Sequence, residues 1–246
     1  MVFNLLGDSV TRLLLTRPKE DSVELSDALE KMGIKSVVAP MLLIENIPGP
    51  DIATEPLQGF LVTSANGVRA LAARTDNRDL PVYAVGDATA RAARDIGFGS
   101  VTSAAGDVDD LATLVAHACD AGDGAFYHAT GTVTAGDLSG RLTAVGFEVI
   151  REKIYEAKTV EHLPDHARMA LAAGAINGVV IFSPRTAETF VNRVAAAGLM
   201  MILGEMQLFA LSQNVRDAAG NAWDETIVAD KPTQESLLNA IRTCYY

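Results

Sequence analysis

The chain has too little cysteine and histidine to build a disulfide framework or a metal centre: Cys119, Cys244 and four histidines in 246 residues. One histidine pair, His162 and His166, is spaced i,i+4, but it lies in a polar, turn-rich stretch and reads as solvated surface. Long apolar runs are missing as well. No segment approaches the roughly 18 residues that a bilayer-spanning helix needs. Met1 to Leu15 carries Asp8 and Arg12 and lacks the basic start of a secretory leader, so a cytoplasmic protein without a membrane partner is expected. Basic residues are few, Lys and Arg numbering 20 against 31 Asp and Glu. The formal charge of −11, with no dense basic cluster, argues against nucleic acid as a partner. Catalytic signatures are lacking too: there is no Gly-x-Ser-x-Gly elbow, no Gly-Lys-Ser/Thr phosphate loop, no Gly-x-Gly-x-x-Gly fingerprint and no His-Glu-x-x-His pair. Triad hydrolysis, phosphoryl transfer and hydride transfer each need parts that this pattern does not offer.

What is present is an internal repeat. GFLVTSANGVRAL (Gly59 to Leu71) aligns with GVVIFSPRTAETF (Gly178 to Phe190) at an offset of 119. VYAVGDATARAA (Val82 to Ala93) aligns with LFALSQNVRDAA (Leu208 to Ala219), and VTSAAGDVDDLATL (Val101 to Leu114) with IVADKPTQESLLNA (Ile227 to Ala240), both at 126. Upstream, LLLTRP (Leu13 to Pro18) aligns with AFYHAT (Ala125 to Thr130) at 112, and LSDALEKMG (Leu25 to Gly33) with LSGRLTAVG (Leu138 to Gly146) at 113. An ordered series with slowly growing offset points to an ancient duplication. Each unit is a short apolar strand, a loop rich in Ser, Thr, Gly, Asn or Pro, and a helix with apolar residues at i, i+3 and i+4. That alternation predicts α/β architecture with parallel sheets flanked by helices in two similar lobes. Gly33, Gly97 and Gly146 are placed to close helices. Two stretches, Val37 to Asp51 and Val149 to Asp165, break the pattern at equivalent positions; both are extended for longer than one sheet strand and read as bridges between lobes.

Ligands of open α/β sheets bind beyond the carboxyl ends of the strands, where helix N-termini point N–H groups outward. Those ends read Thr16-Arg17-Pro18, Thr63-Ser64-Ala65-Asn66, Gly86-Asp87-Ala88-Thr89, His128-Ala129-Thr130-Gly131, Ser183-Pro184-Arg185 and Ser212-Gln213-Asn214. Loops of this kind hold anions through backbone donors, with Arg17 and Arg185 as the cationic additions. Each loop taken singly is also an ordinary helix cap. Their recurrence in matching positions of two lobes is what points to a shared cleft.

The series TRP, TSANGV, YAVGDATARAA, the tyrosine of REKIYEA, VVIFSPRTAETF and ALSQNVRDAAG resembles the uroporphyrinogen-III synthase (HemD-like) family over nearly the whole chain. The resemblance implies flavodoxin-like lobes joined by a two-stranded antiparallel ladder. Residues 1–39 with 159–246 would form one lobe, 45–151 the other, and 40–44 with 152–158 the ladder. It implies a cyclising hydro-lyase of tetrapyrrole biosynthesis that works without a cofactor or a metal, acting on the octacarboxylate hydroxymethylbilane. The hydroxyl is expelled, ring D is inverted through a spiro intermediate, and the ring closes. Which end product is served, haem or another tetrapyrrole, is left open. The partners implied are this small-molecule substrate and, by handover, the preceding bilane-forming enzyme; a monomer is expected.

Tyr155 matches the tyrosine that the family places near its cleft, a candidate hydrogen-bond donor to the departing hydroxyl. Thr63, Ser64, Thr89 and Ser183 match hydroxyl positions of the family's loops. Substrate-binding candidates are therefore Arg17, Pro18, Thr63, Ser64, Asn66, Gly86, Asp87, Ala88, Thr89, Thr130, Gly131, Ser183, Pro184, Arg185, Ser212, Gln213 and Asn214. The chain departs from the family pattern at Asn214-Val215, where many relatives have Thr-Thr, and at Thr130-Gly131-Thr132, where a basic residue is common. A two-lobed binding or sensor module without catalysis fits the residues as well, and a flavodoxin-like nucleotide-binding enzyme is a further reading.

Overall fold

The computed structural model describes residues 10–133 and 136–246. The first nine residues of the expected first lobe lie outside the described residues. The chain divides into two compact units, Met1–Leu43 with Lys158–Tyr246, and Ile44–Ala157. Among the described residues, no helix is long and apolar enough to cross a membrane.

The first unit is a five-stranded parallel sheet. Its strands are β1 (Arg12–Leu15), β2 (Lys35–Val38), β9 (Gly178–Ile181), β10 (Gln207–Ala210) and β11 (Glu225–Val228), in the order β11-β10-β9-β1-β2. Both faces are covered, so the inner strands β1, β9 and β10 read as apolar runs and not as alternating ones. Leu14, Val179, Ile181 and Leu208 face α6 (Asp165–Ala172), α7 (Pro184–Ala196) and α8 (Gln213–Ala218) through Leu171, Phe190 and Val215. Leu13, Leu15, Val180 and Phe209 face α1 (Lys19–Lys31) and α9 (Gln234–Tyr245) through Leu25, Leu29, Leu237 and Ile241.

The second unit is a six-stranded sheet. It holds β3 (Leu42–Asn46), β4 (Leu57–Val62), β5 (Val82–Ala84), β6 (Val101–Ser103), β7 (Ala125–Gly131) and β8 (Val149–Thr159), in the order β3-β8-β7-β4-β5-β6. Strands β4 to β8 are parallel. Phe60, Val62 and Tyr127 pack on α2 (Ala65–Ala72) and α3 (Asp87–Asp95), while Leu61 and Phe126 pack on α4 (Val108–Ala118) and α5 (Leu138–Ala144).

The duplication is visible in the sheets. If β7, β8, β4, β5 and β6 are matched to β1, β2, β9, β10 and β11, the two parallel sheets have one strand order, the flavodoxin-type 2-1-3-4-5, entered at different points of the chain. The register fixes the alignment residue by residue. Gly59 pairs with Phe126 and Gly178 with Leu13, so Phe126 stands where Leu13 does, an offset of 113. This corrects by one the offset of 112 read for the first strand pair, and the same register test gives 125, not 126, for β6 and β11. A one-residue slip would send every side chain of a strand to the opposite face, which register detects and similarity of short apolar strings does not.

One packing detail recurs in both halves. A Cβ on Gly59 would lie 2.9 Å from Pro81 O, 3.1 Å from the Phe126 ring and 3.2 Å from Tyr83. On Gly178 it would lie 2.9 Å from Gln207 O, 3.0 Å from Leu13 and 3.0 Å from Phe209, the equivalent atoms of the other repeat. Gly33 and Gly146, also equivalent, both take positive φ where α1 and α5 end.

A second correction concerns Val149 to Asp165. Its first eleven residues form one continuous strand, β8, because they serve two partners in turn. Val149 to Tyr155 pairs with β7. Toward its end β8 lies beside β3, where Ile47 N donates to Ile154 O and Val160 N to Met41 O, numbers that rise on one strand as they fall on the other. This pair is the antiparallel ladder that carries the chain from one unit to the other and back.

Candidate active site

In the second unit the strand order reverses between β7 and β4, the switch point beyond whose strand ends open α/β sheets bind their ligands. Strand β4 is followed by Thr63-Ser64, and β7 ends in Gly131. Ser64 caps α2, its Oγ accepting from Gly67 N–H at 3.0 Å. The same Oγ lies 2.8 Å from the hydroxyl of Tyr155, which arrives on the neighbouring strand β8. The Tyr155 ring is 9% exposed and packs in the apolar cluster beneath.

Two glycines make this contact possible. A Cβ on Gly131 would sit 2.7 Å from Tyr155 Cζ and 2.9 Å from its oxygen, so the ring occupies space that any larger residue would fill. The close fit goes with a bulge, the pairing of β7 with β8 shifting between Thr130 and Gly131, and Thr132 N–H donates to Tyr155 O. Gly67 lets α2 approach β7, since its Cβ would be 3.2 Å from Ala129 O and 3.7 Å from Tyr155 Cε1. The phenol oxygen is thereby held beside the N-terminus of an eight-residue helix, the end toward which the backbone N–H groups point. Gly67 was not among the sequence candidates; the signal for it was its place three residues after a capping serine.

The other candidates of this unit are placed as follows. Thr63 is half-buried beside Ser64, and Asn66 Oδ1 accepts from Arg69 at 2.6 Å. Gly86 is the N-cap of α3, Asp87 and Ala88 are exposed in its first turn, and Thr89 is buried. Thr130 is buried, its hydroxyl donating to Glu152 O at 2.9 Å. Below it, Glu152 accepts from Tyr127 at 2.6 Å and pairs with Arg74 at 3.1 Å. Burial and the Glu152 carboxylate push the Tyr127 phenol above its ordinary range.

In the first unit the corresponding reversal lies between β1 and β9. Arg17 follows β1, with its guanidinium 4.5 Å above the Phe182 ring, donating to Gln234 at 3.1 Å and paired with Asp21 at 3.4 Å. Pro18 is the N-cap residue of α1. Ser183 caps α7, accepting from Thr186 N–H at 3.2 Å; Pro184 is the first helical residue and Arg185 is exposed in the first turn. Ser212 precedes α8, where Gln213 donates to Asp217 and Asn214 is exposed. His166, of the i,i+4 pair, has Nε2 2.9 Å from Val38 O.

The family model HEM4, uroporphyrinogen-III synthase HemD, matches residues 23–239. The chain belongs to the uroporphyrinogen-III synthase HemD family. Its activity is that of the family, a cyclising lyase of tetrapyrrole biosynthesis. The fold agrees. Uroporphyrinogen-III synthetase from Helicobacter pylori is similar with a TM-score of 0.61 at 15% identity, over 95% of this chain and 99% of that one. A mutant uroporphyrinogen III synthase from Thermus thermophilus is similar with a TM-score of 0.50 at 17% identity, over 95% and 97%. No curated protein matches in a sequence search. The binding-module alternative finds no support in these matches. For a uroporphyrinogen-III synthase, a phenol poised at a helix N-terminus is chemically apt: the bond to be broken carries a hydroxyl, a poor leaving group unless a donor meets its oxygen.

Proposed function

We propose that this chain closes hydroxymethylbilane to uroporphyrinogen III, with Tyr155 as the hydrogen-bond donor to the departing hydroxyl. The single observation that supports this assignment is the contact of Tyr155 with the capping serine of α2, which puts a buried phenol at a strand carboxyl end with its oxygen beside helix N–H groups. The remaining chemistry is largely the substrate's own. Loss of the hydroxyl leaves an electrophilic cationic terminus, which the substituted carbon of ring D attacks. The spiro intermediate then fragments and closes in the inverted sense. The protein's task is to fold the bilane so that this carbon is reached, and to supply oriented donors where charge develops.

The eight carboxylates are assigned to backbone donors at the starts of α2, α3 and α7 and to the hydroxyls of Thr63, Thr89 and Ser183, with Arg17 and Arg185. Local donors of this kind can hold a polyanion on a chain whose formal charge is −11. Arg17 keeps a partner of opposite sign, Asp21, at 3.4 Å. The enzyme acts as a monomer in the cytoplasm and receives the bilane from the enzyme that forms it.

The test is to supply freshly made hydroxymethylbilane and separate the product isomers after oxidation. Spontaneous closure yields type I and the enzyme type III. Tyr155→Phe is expected to slow formation of type III several-fold while its thermal unfolding stays near that of the parent. Turnover at the parent rate would remove Tyr155 from the reaction.

A further inference from the structure

We infer that Ser64 serves the reaction as a positioning residue for Tyr155 and not as a carboxylate contact. The inference rests on the reading of Tyr155 given above. A serine hydroxyl has one hydrogen and two lone pairs. One lone pair of Ser64 Oγ is engaged by Gly67 N–H at 3.0 Å, and its other partner is Tyr155 Oη at 2.8 Å. Two proton arrangements satisfy that geometry. If Tyr155 donates to Ser64, the phenol proton points at the helix cap and is useless to a substrate. If Ser64 donates to Tyr155, the phenol proton is released to point elsewhere.

The second arrangement is the one that the surroundings favour during the reaction. The Gly67 N–H bond withdraws electron density from Oγ and makes the serine hydroxyl a better donor, as in any chain of hydrogen bonds running one way. The positive end of α2 acts in the same direction, favouring the orientation in which the phenol oxygen accepts and its hydrogen points away from the helix. The resulting relay runs Gly67 N–H to Ser64 Oγ–H to Tyr155 Oη–H to the leaving oxygen. Gly131 completes it by leaving no Cβ where the ring must lie, which keeps Oη within reach of Oγ.

The step balances as follows. The bond between the terminal methylene carbon and the hydroxyl oxygen breaks, and its electron pair leaves on oxygen. The Tyr155 proton joins that oxygen to give water. The tetrapyrrole is left cationic and Tyr155 a phenolate, held by the Ser64 hydroxyl. When the closed ring regains its aromatic pyrroles a proton is released, and it restores the phenol.

A carboxylate contact and a positioning residue differ in what they change. Removing the first weakens binding in ground and transition state alike and raises KM. Removing the second lowers kcat and leaves KM nearly unchanged. Ser64→Ala is therefore expected to lower kcat about tenfold at unchanged KM, with Ser64→Thr recovering most of the loss. The cap is also removed in Ser64→Ala, so Ser64→Gly, which starts a helix nearly as well as serine, is measured beside it and is expected to show the same loss of kcat.

The direct readout is the 13C resonance of Tyr155 Cζ in protein labelled at tyrosine Cζ, one of five tyrosine lines, identified by its absence in Tyr155→Phe. It is expected to move in Ser64→Ala and Ser64→Gly and to return toward the parent position in Ser64→Thr. A stationary Cζ line, or a raised KM at parental kcat, overturns the inference. Parental turnover in Tyr155→Phe overturns instead the reading on which it rests, and the two failures are told apart because the resonance is read without turnover.

Discussion

His128 occupies on β7 the position that Leu15 has on β1, and the exchange of a leucine for an imidazole has a measurable consequence. The residue is 3% exposed, with Nδ1 2.9 Å from Ser139 Oγ and Nε2 without a partner among the described residues. Burial, reinforced by the nearby Arg151 and opposed by Asp137, pulls its pKa down to about 4 from the ordinary 6.5. Between these values the unfolded chain binds a proton that the native state refuses. The native state is thus favoured above pH 6.5, and this contribution is lost as pH falls toward 4, by about 3 kcal/mol in all. Urea unfolding across that window should show a shallower loss of stability for His128→Leu than for the parent. At neutral pH the variant should lie within about 1 kcal/mol of it, the worth of the Ser139 hydrogen bond. Equal slopes would mean that the imidazole is protonated in place.

At the scale of elements, the paired glycines Gly59 and Gly178 make the repeat testable. An alanine at either position gains a little by restricting the unfolded chain. Its Cβ, however, would meet a backbone carbonyl at 2.9 Å as well as an aromatic ring, and neither can retreat without moving a strand. Overpacking of this kind costs about 1–3 kcal/mol, so Gly59→Ala and Gly178→Ala should each lower the urea midpoint by similar amounts. Gly99→Ala, whose Cβ would meet nothing nearer than 3.8 Å, should leave it unchanged or slightly raised.

The same elements show what could be read before the structure. Apolar strings followed by Ser, Thr or Gly and then helical periodicity located the strand–loop–helix units, because strands buried on both faces and capped helices leave local signatures. Ser64 and Ser183 were legible as helix starts for that reason. The partner of Ser64 was not: Tyr155 lies 91 residues away and meets it only because β8, β7 and β4 are neighbours. The offsets of β1 with β7 and of β6 with β11 were each misread by one residue, while those of β4 with β9 and β5 with β10 hold, since apolar strings tolerate a slip that the two faces of a sheet do not. The continuity of β8 was missed because a strand that changes partners midway looks, in sequence, like two segments.

At the scale of the whole molecule, the buried apolar side chains among the described residues fall into four clusters, and each lies within one unit. The clusters around Phe190 and Phe209 belong to Met1–Leu43 with Lys158–Tyr246, and those around Phe60 and Phe126 to Ile44–Ala157. A core confined to one unit makes that unit a cooperative block in its own right, because the free energy that opposes its unfolding comes from contacts within it. The second unit is, in addition, one uninterrupted piece of chain that carries its whole parallel sheet. Residues 44–157 made alone should therefore fold, with native-like near-ultraviolet dichroism and a cooperative melt. The intact chain should unfold with a calorimetric enthalpy exceeding the van 't Hoff value, the signature of more than one block. Equality of the two enthalpies, together with a 44–157 fragment that fails to fold, would mean that the units share stabilisation the four clusters do not account for.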